Sequence, residues 1–230
     1  MKFITAVILS VIFSCSLAAG ETNVPATSAE LNPREKKIAI LANFWSNDCH
    51  ANLIATRYFT GFPTDDGLIA PKVGVASIFI AQPKPDDVGS LLAEKFHVPV
   101  YSNITDAITL GTGRLAVDGV LYIGQHGTFQ KSNLGQRMYP HLNNLEEVFR
   151  VFESSGKVVP VFNDKEIAYN WLDSKWIYDR ARELNVPFMS SSVLVTTYRR
   201  PALIHPVGTV IKEAVSIGYG GLDSYAFHTL

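Results

Sequence analysis

The sequence lacks the features that usually mark a nucleic-acid-binding or disulfide-stabilised protein. Its net charge is −1 at pH 7, and its basic residues are scattered rather than clustered, so the basic stripe needed for nucleic-acid binding is missing. Cysteine occurs only at Cys15 and Cys49. Removal of an N-terminal leader would leave Cys49 alone, without an intrachain disulfide. Because 47% of the residues are apolar, we expect a domain stabilised by its hydrophobic core.

No apolar run is long enough to favour a permanent membrane span. The longest, FITAVILSVIFSCSLAA, follows Lys2 and ends in small residues around Ala18, which is typical of a cleaved signal peptide. We predict a signal peptide over 1–20 and an exported protein, periplasmic or extracellular. A short membrane anchor and lipid attachment at Cys15 are the alternatives. Residues 21–36 are polar and carry two prolines, which predicts a flexible linker.

Strand-like and helix-like stretches alternate after the linker, which predicts an α/β fold with a mostly parallel sheet. Continuous apolar runs such as KIAILA are typical of strands buried on both faces. Six such strands with intervening helices fit the doubly wound, Rossmann-like topology. The predicted strands cover 37–42, 72–82, 98–102, 117–124, 158–164 and 186–195. The predicted helices cover 50–62, 85–97, 104–115, 143–156 and 166–185.

The pattern predicts a Rossmann-like domain over 37–203. Residues 204–230 include VGTVIKEAVSIGYGG, which has a strand-like pattern. We interpret this segment as the start of a second, truncated α/β domain.

Ligands of doubly wound sheets bind beyond the carboxyl ends of the strands. The loop after the first strand, NFWSNDCH, contains no glycine, and its Trp45 would obstruct the close backbone approach that a pyrophosphate needs. A packed structural loop and a ligand-lining loop both fit. In the second interpretation Asn43 and Trp45 line the cofactor or ligand site, where Trp45 would stack on a sugar face, and His50 binds substrate. After the second strand, Gln82 stands where a ribose-binding acid would be expected.

The loop after the fourth strand, YIGQHGTFQ, places His126 between two glycines. We predict that His126 faces the ligand as a hydrogen-bond donor, base or metal ligand, with Gly124 beside the cofactor position. A loop histidine bonded to the backbone is the structural alternative. The following segment, KSNLGQRMYPHL, is predicted as a flap in which Tyr139 contacts substrate, or else as plain surface together with His141.

The fifth strand ends in VFNDKE, which brings Asn163, Asp164 and Lys165 to the same edge. We predict Lys165 as a catalytic residue beside His126, with Asn163 and Asp164 binding substrate. The alternative is a helix cap by Asp164, with Lys165 in solvent. The serines after the sixth strand lack a G-x-S-x-G elbow, so a hydrolase is disfavoured.

These motifs carry a family resemblance. KIAILANFWSNDCHANLIA, VDGVLYIGQHGTFQ and SGKVVPVFNDKEIA are similar to the first strand and loop, the fourth strand and the E-K-P region of the glucose–fructose oxidoreductase/inositol dehydrogenase (Gfo/Idh/MocA) family. The resemblance covers residues 37 to about 200, the N-terminal domain of that family. In its motifs, the chain more closely resembles a group of exported bacterial proteins that carry IGxHG and VPVFNDK.

The resemblance implies a domain that binds NAD(P), with Lys165 at the lysine that contacts cofactor and substrate. The sequence departs from it, because the glycine-rich loop, the ribose-binding acid and the proline of E-K-P are absent. Our leading hypothesis is therefore an exported Rossmann-like protein that binds or acts on a carbohydrate-type ligand with a rebuilt loop. An NAD(P)-dependent sugar oxidoreductase, a metal-assisted enzyme using His50, His126 and Asp164, and a non-catalytic binding protein are the alternatives. A homo-oligomer is left open.

Overall fold

The computed structural model describes residues 36–85, 87–192, 201, 203–218, 225 and 228. The predicted signal peptide over 1–20 lies outside the described residues, as does the predicted linker apart from residue 36. None of the described helices is long and apolar enough to cross a membrane.

The structure describes eight strands and six helices. The strands are β1 (Lys37–Ala42), β2 (Phe62–Thr64), β3 (Gly67–Ile69), β4 (Gly74–Ile80), β5 (Val100–Tyr101), β6 (Gly119–Ile123), β7 (Val161–Asp164) and β8 (Phe188–Ser191). The helices are α1 (His50–Ile54), α2 (Arg57–Thr60), α3 (Val88–Phe96), α4 (Ile104–Thr109), α5 (His141–Ser155) and α6 (Trp171–Glu183).

Six strands form one parallel sheet in the order β5-β4-β1-β6-β7-β8. The strand order reverses between β1 and β6, which makes this a doubly wound, Rossmann-like α/β sheet. Each of its strands falls within a predicted segment, so the predicted fold class is confirmed.

The sheet is covered on both faces. Along β1, Ala39 and Leu41 belong to one hydrophobic cluster, while Ile40 and Ala42 belong to the other. This alternation follows from the two-residue period of a strand. All five residues of β6 are buried, as expected for the centre of a sheet with helices on both sides.

Three predictions about individual elements are corrected. The helix predicted over 50–62 is two short helices, α1 and α2, followed by the β2–β3 hairpin, which pairs Phe62 with Ile69. Helix α6 begins at Trp171, capped by Asn170, so Asp164 is not its cap. Described residues 203–218 contain no strand, contrary to their strand-like pattern.

Candidate functional site

A cavity of about 270 Å³ opens beyond the carboxyl ends of β6 and β7. Its walls come from the loops after these strands, from the first residue of α1, from the segment before α5, and from two residues near the end of the sequence. The lining residues are His50, Gln125, His126, Gly127, Arg137, Tyr139, Lys165, Glu166, Tyr225 and His228. Four predicted site residues, His50, His126, Tyr139 and Lys165, therefore share one cavity.

His50 and Asp164 form a hydrogen-bonded pair at the site. His50 Nδ1 lies 2.6 Å from Asp164 Oδ2. The Asp164 side chain is fully buried, whereas 17% of the His50 side chain is exposed. A carboxylate only accepts hydrogen bonds, so Nδ1 is the donor in this pair. In the neutral ring, Nε2 is then left as the proton acceptor. The geometry can orient a general base.

His126 stands beside His50, with ring centroids 5.1 Å apart. Its backbone φ is +66°, a left-handed conformation that costs a non-glycine residue of order 1 kcal/mol and is found at functional sites. Burial lowers the pKa of His126 to about 4; electrostatic interactions with His50, Lys165 and Arg137 act in the same direction, and the charge of Asp164 opposes them. The ring is therefore neutral at pH 7 and fits a hydrogen-bonding role.

Lys165 has the second left-handed backbone of the site, with φ +65°. Strand β8 fixes this conformation, because Lys165 N donates to Ser191 O at 3.0 Å and Lys165 O accepts from Ser190 Oγ at 2.6 Å. The residue is only 6% exposed yet lines the cavity. The predicted solvent-facing alternative for Lys165 is thus excluded.

Asn163 stabilises the turn at Lys165 and is not among the residues that line the cavity. It is fully buried, and its Nδ2 donates to Ser190 Oγ at 2.8 Å and to Glu166 O at 2.9 Å. We therefore correct its predicted substrate contact to a structural one. Asp164 is equally buried and reaches the cavity only through His50.

Glu166 adds a carboxyl group that the sequence analysis did not assign to the site. Gln125 Nε2 donates to Glu166 Oε1 at 3.0 Å. Burial raises the pKa of Glu166, while the bond from Gln125 and the charge of Lys165 oppose that rise. Glu166 thus brings a carboxyl group to the cavity wall, beside Gln125 and Lys165.

The predicted flap forms one wall. Lys131 and Arg137 make an isolated antiparallel bridge, and Gln136 Nε2 donates to Tyr169 O at 2.9 Å. These contacts fix a wall to which Arg137 and Tyr139 contribute. His141, predicted as a flap or surface residue, is instead fully buried at the start of α5.

Two residues from the end of the sequence complete the cavity. The rings of His228 and His50 stack with centroids 6.1 Å apart, and His228 Nδ1 lies 2.6 Å from Ser192 Oγ. Tyr225 also lines the cavity. The sequence analysis did not identify either residue. The only signal in the sequence is the presence of an aromatic and a polar side chain near the C-terminal end.

The first loop does not line the cavity. Trp45 is fully buried: an added Cβ on Gly89 of α3 would lie 2.5 Å from Trp45 Cε3, and Val88 N donates to Trp45 O at 3.0 Å. Asn43 is also fully buried, and its Nδ2 donates to Gly124 O at 2.5 Å. The predictions that Trp45 stacks on a sugar and that Asn43 binds a cofactor are therefore wrong.

Gly124 and Gln82, the other two residues predicted to bind a cofactor, make contacts within the protein instead. A Cβ on Gly124 would lie 2.6 Å from Tyr122 Oη, so this glycine serves core packing. Gln82 Oε1 accepts from Thr128 N at 2.8 Å, and Gln82 Nε2 donates to Thr128 O at 3.0 Å. These two hydrogen bonds connect the loop after β6 with the end of β4, across the end of β1. The described residues therefore do not fit a nicotinamide cofactor held in the usual way.

The metal alternative lacks support as well. Within the part of the chain that the structure describes, no group of three or more His, Cys, Asp or Glu residues is arranged to hold a metal ion. His50 and Asp164 bind each other.

Several solved structures are similar to part of this chain. No family model and no curated protein matches the sequence. Similar solved structures include a Synechocystis sp. PCC 6803 biliverdin reductase bound to biliverdin and NADP+, at 15% identity and TM-score 0.43, covering 67% of this chain and 37% of that one. A Gfo/Idh/MocA family oxidoreductase from Vibrio cholerae is 16% identical with TM-score 0.43, over 68% and 38%.

A third similar structure, an Acidithiobacillus ferrooxidans UDP-N-acetylglucosamine 3-dehydrogenase, is 10% identical with TM-score 0.41, over 67% and 37%. This chain thus spans less than two fifths of the length of these neighbours. These likenesses cover only part of each structure, and the roles of the site residues follow from their own geometry.

Proposed function

We propose that this chain binds a small, hydroxyl-rich ligand of the carbohydrate type and that His50, oriented by Asp164, accepts a proton from it. The observation that carries the proposal is the 2.6 Å contact between His50 Nδ1 and the buried Asp164 carboxylate, at the wall of a cavity. An imidazole held in this way presents its second nitrogen in a fixed direction. Positioned general bases of this kind contribute about 10²–10⁴-fold to rate.

The size and lining of the cavity support a small polar ligand. A volume of about 270 Å³ lies just below the range of about 300–1,000 Å³ typical of drug-sized ligands. Imidazole, phenol, amide, carboxyl, ammonium and guanidinium groups face this space. Such a set offers both donors and acceptors, which a polyol or sugar uses through its hydroxyl groups.

The NAD(P)-dependent alternative is less well supported. Its cofactor would need the space at the ends of β1 and β4, which buried Trp45 and the Gln82–Thr128 bonds fill or cover. We therefore favour acid–base chemistry or binding without a nicotinamide cofactor.

A ligand screen by thermal shift tests this function. Sugars, polyols, sugar acids, NADH, NADPH and divalent metals are each added to the purified chain without its first 20 residues. We expect stabilisation by at least one sugar-type compound, lost in His50→Gln but retained in Lys157→Met, a substitution at an exposed lysine beyond α5. Stabilisation by NADH or NADPH alone would instead support the oxidoreductase alternative.

We also propose that the protein acts outside the cytoplasm, from the N-terminal apolar run after Lys2. Cell fractionation and N-terminal sequencing of the mature chain test this. A mature start near residue 20 in the exported fraction is expected, whereas an intact Met1 in the cytoplasm would contradict export.

A further inference from the structure

We propose that Ser190 is a positioning residue for the proton acceptor His50, because its hydroxyl group fixes the backbone on both sides of Asp164. This inference rests on the proposed function and adds a residue of β8 that is not among those lining the cavity. It is supported by the hydrogen bonds of Ser190, by the pairing of β7 with β8, and by the surroundings of the Asp164 carboxylate.

The Ser190 hydroxyl group contacts both chain neighbours of Asp164. Its oxygen accepts a hydrogen bond from Asn163 Nδ2 at 2.8 Å, and it donates its proton to Lys165 O at 2.6 Å. A serine hydroxyl has one proton to donate, and here that proton serves the residue after Asp164. One side chain therefore holds Asp164 from the residue before it and from the residue after it.

The strand pairing fixes where the end of β7 turns. Strands β7 and β8 are parallel, with Asn163 opposite Ser190 and Asp164 opposite Ser191. Lys165, directly after β7, has a left-handed backbone with φ +65°, which is unfavourable for a residue other than glycine. The bond from Ser190 Oγ to Lys165 O and the bond from Lys165 N to Ser191 O, at 3.0 Å, offset this cost. Removal of the hydroxyl group should let the turn relax, and the Asp164 side chain would move with it.

The Asp164 carboxylate depends on its backbone for its position. Its Oδ2 lies 2.6 Å from His50 Nδ1, whereas its Oδ1 is buried and has no hydrogen-bond partner among the described residues. A carboxylate bound by several donors is held by those donors. Here a single ring bonds the carboxylate, so the backbone that Ser190 fixes decides where the carboxylate lies.

The proton on the His50 ring reports this geometry. The hydrogen bond that a neutral imidazole makes decides which of its two nitrogens carries the proton. Asp164 keeps that proton on Nδ1, and Nε2 is left to accept a proton from a ligand. Displacement of the carboxylate would return the ring toward the Nε2–H form that neutral histidine prefers in water, and the acceptor at Nε2 would be lost.

The test measures the ratio of the Nδ1–H form to the Nε2–H form of His50. Nitrogen NMR of the purified protein with labelled imidazoles, at an alkaline pH where imidazoles are neutral, gives this ratio from the two ring-nitrogen shifts. We expect the Nδ1–H form to predominate in the wild-type protein. The ratio should fall about threefold or more in Ser190→Ala, the scale of one hydrogen bond. Ser190→Thr keeps a hydroxyl group on a residue suited to a strand and should restore the ratio.

Ser191→Ala is the matched control on the same strand. The Ser191 hydroxyl group donates to Ser192 O at 3.3 Å, and the Ser191 carbonyl that bonds Lys165 N is kept in the variant. The ratio in Ser191→Ala should equal that of the wild-type protein. Ser190→Cys has a similar shape and a weaker donor, so it should give an intermediate ratio. It carries the test if circular dichroism shows that Ser190→Ala does not fold.

The outcomes separate this proposal from the proposed function. An unchanged ratio in Ser190→Ala, an equal fall in Ser191→Ala, or no recovery in Ser190→Thr would overturn the role of Ser190 and leave the proposed function standing. A wild-type His50 ring without a proton on Nδ1 would overturn both, because Asp164 would then not orient the ring.

Discussion

His50 Nδ1 and Asp164 Oδ2 lie 2.6 Å apart, although 114 positions separate the two residues in sequence. His50 opens α1 directly after the first loop, and Asp164 is the last residue of β7. Strand β6 lies between β1 and β7 in the sheet, so the contact spans the end of the central strand. The doubly wound order creates this pair, and the cavity forms around it.

The pair should behave as one unit in unfolding experiments. We expect a double-mutant cycle of His50→Gln and Asp164→Asn to give a coupling free energy of about 1–3 kcal/mol, because the carboxylate is fully buried and bonded to the ring. Urea denaturation of the four proteins at pH 7 measures it. A coupling near zero would mean that the two side chains do not meet in solution.

Trp45 should matter for stability rather than for ligand contact. It is fully buried against Gly89, so Trp45→Ala should lower the free energy of unfolding by about 3–5 kcal/mol. Trp171→Ala is the matched control, since Trp171 is 73% exposed and its removal should change stability by less than about 0.5 kcal/mol. Similar effects of the two substitutions in chemical denaturation would contradict the placement of Trp45.

Gln82 should protect the loop after β6 from local opening. Gln82→Met keeps the length of the side chain but loses both bonds to the Thr128 backbone. We expect the Thr128 amide to exchange with deuterium about tenfold faster, as the loss of about 1.4 kcal/mol of local stability implies. Unchanged exchange at Thr128, with amides of β6 serving as internal controls, would argue against the tie between β4 and this loop.

His141 should make the fold sensitive to mild acid. Burial lowers its pKa from 6.5 to about 4. Between these values the unfolded chain binds a proton that the folded chain does not, so stability falls as pH falls through this window. From pH 6.5 to pH 5 the loss is about 2 kcal/mol, and burial of His126 acts in the same direction. His141→Gln should reduce this slope when unfolding is followed at several pH values, and an unaltered slope would contradict a buried, neutral His141.

The sheet was predictable because hydrophobic patterning encodes it directly. IAILA and GVLYIG are uninterrupted runs without a charged or polar side chain apart from the Tyr122 hydroxyl, and the corresponding strands β1 and β6 lie at the centre of the sheet. Patterning is less informative about short elements. The break between α1 and α2 lies within the helix predicted over 50–62, and the β2–β3 hairpin that follows was not predicted.

The site was only partly predictable. The topology explains why His50, His126 and Lys165 meet, since the carboxyl ends of neighbouring parallel strands share an edge. Burial of Trp45 could not be inferred, because a loop aromatic can face either a ligand or the core, and the small Gly89 on α3 decides between them. His228 joins the site through tertiary contacts that no local pattern reveals.

The most direct test of the account uses the six histidines of the chain as reporters in an NMR titration with selectively labelled imidazoles. The ligands are D-gluconate and D-sorbitol. Cavity residues His50, His126 and His228 should shift on binding, whereas His97 at the end of α3 and His205 should not. Saturable shifts confined to the cavity histidines would support the site. Shifts at His97 or His205, with the cavity histidines unmoved, would contradict it.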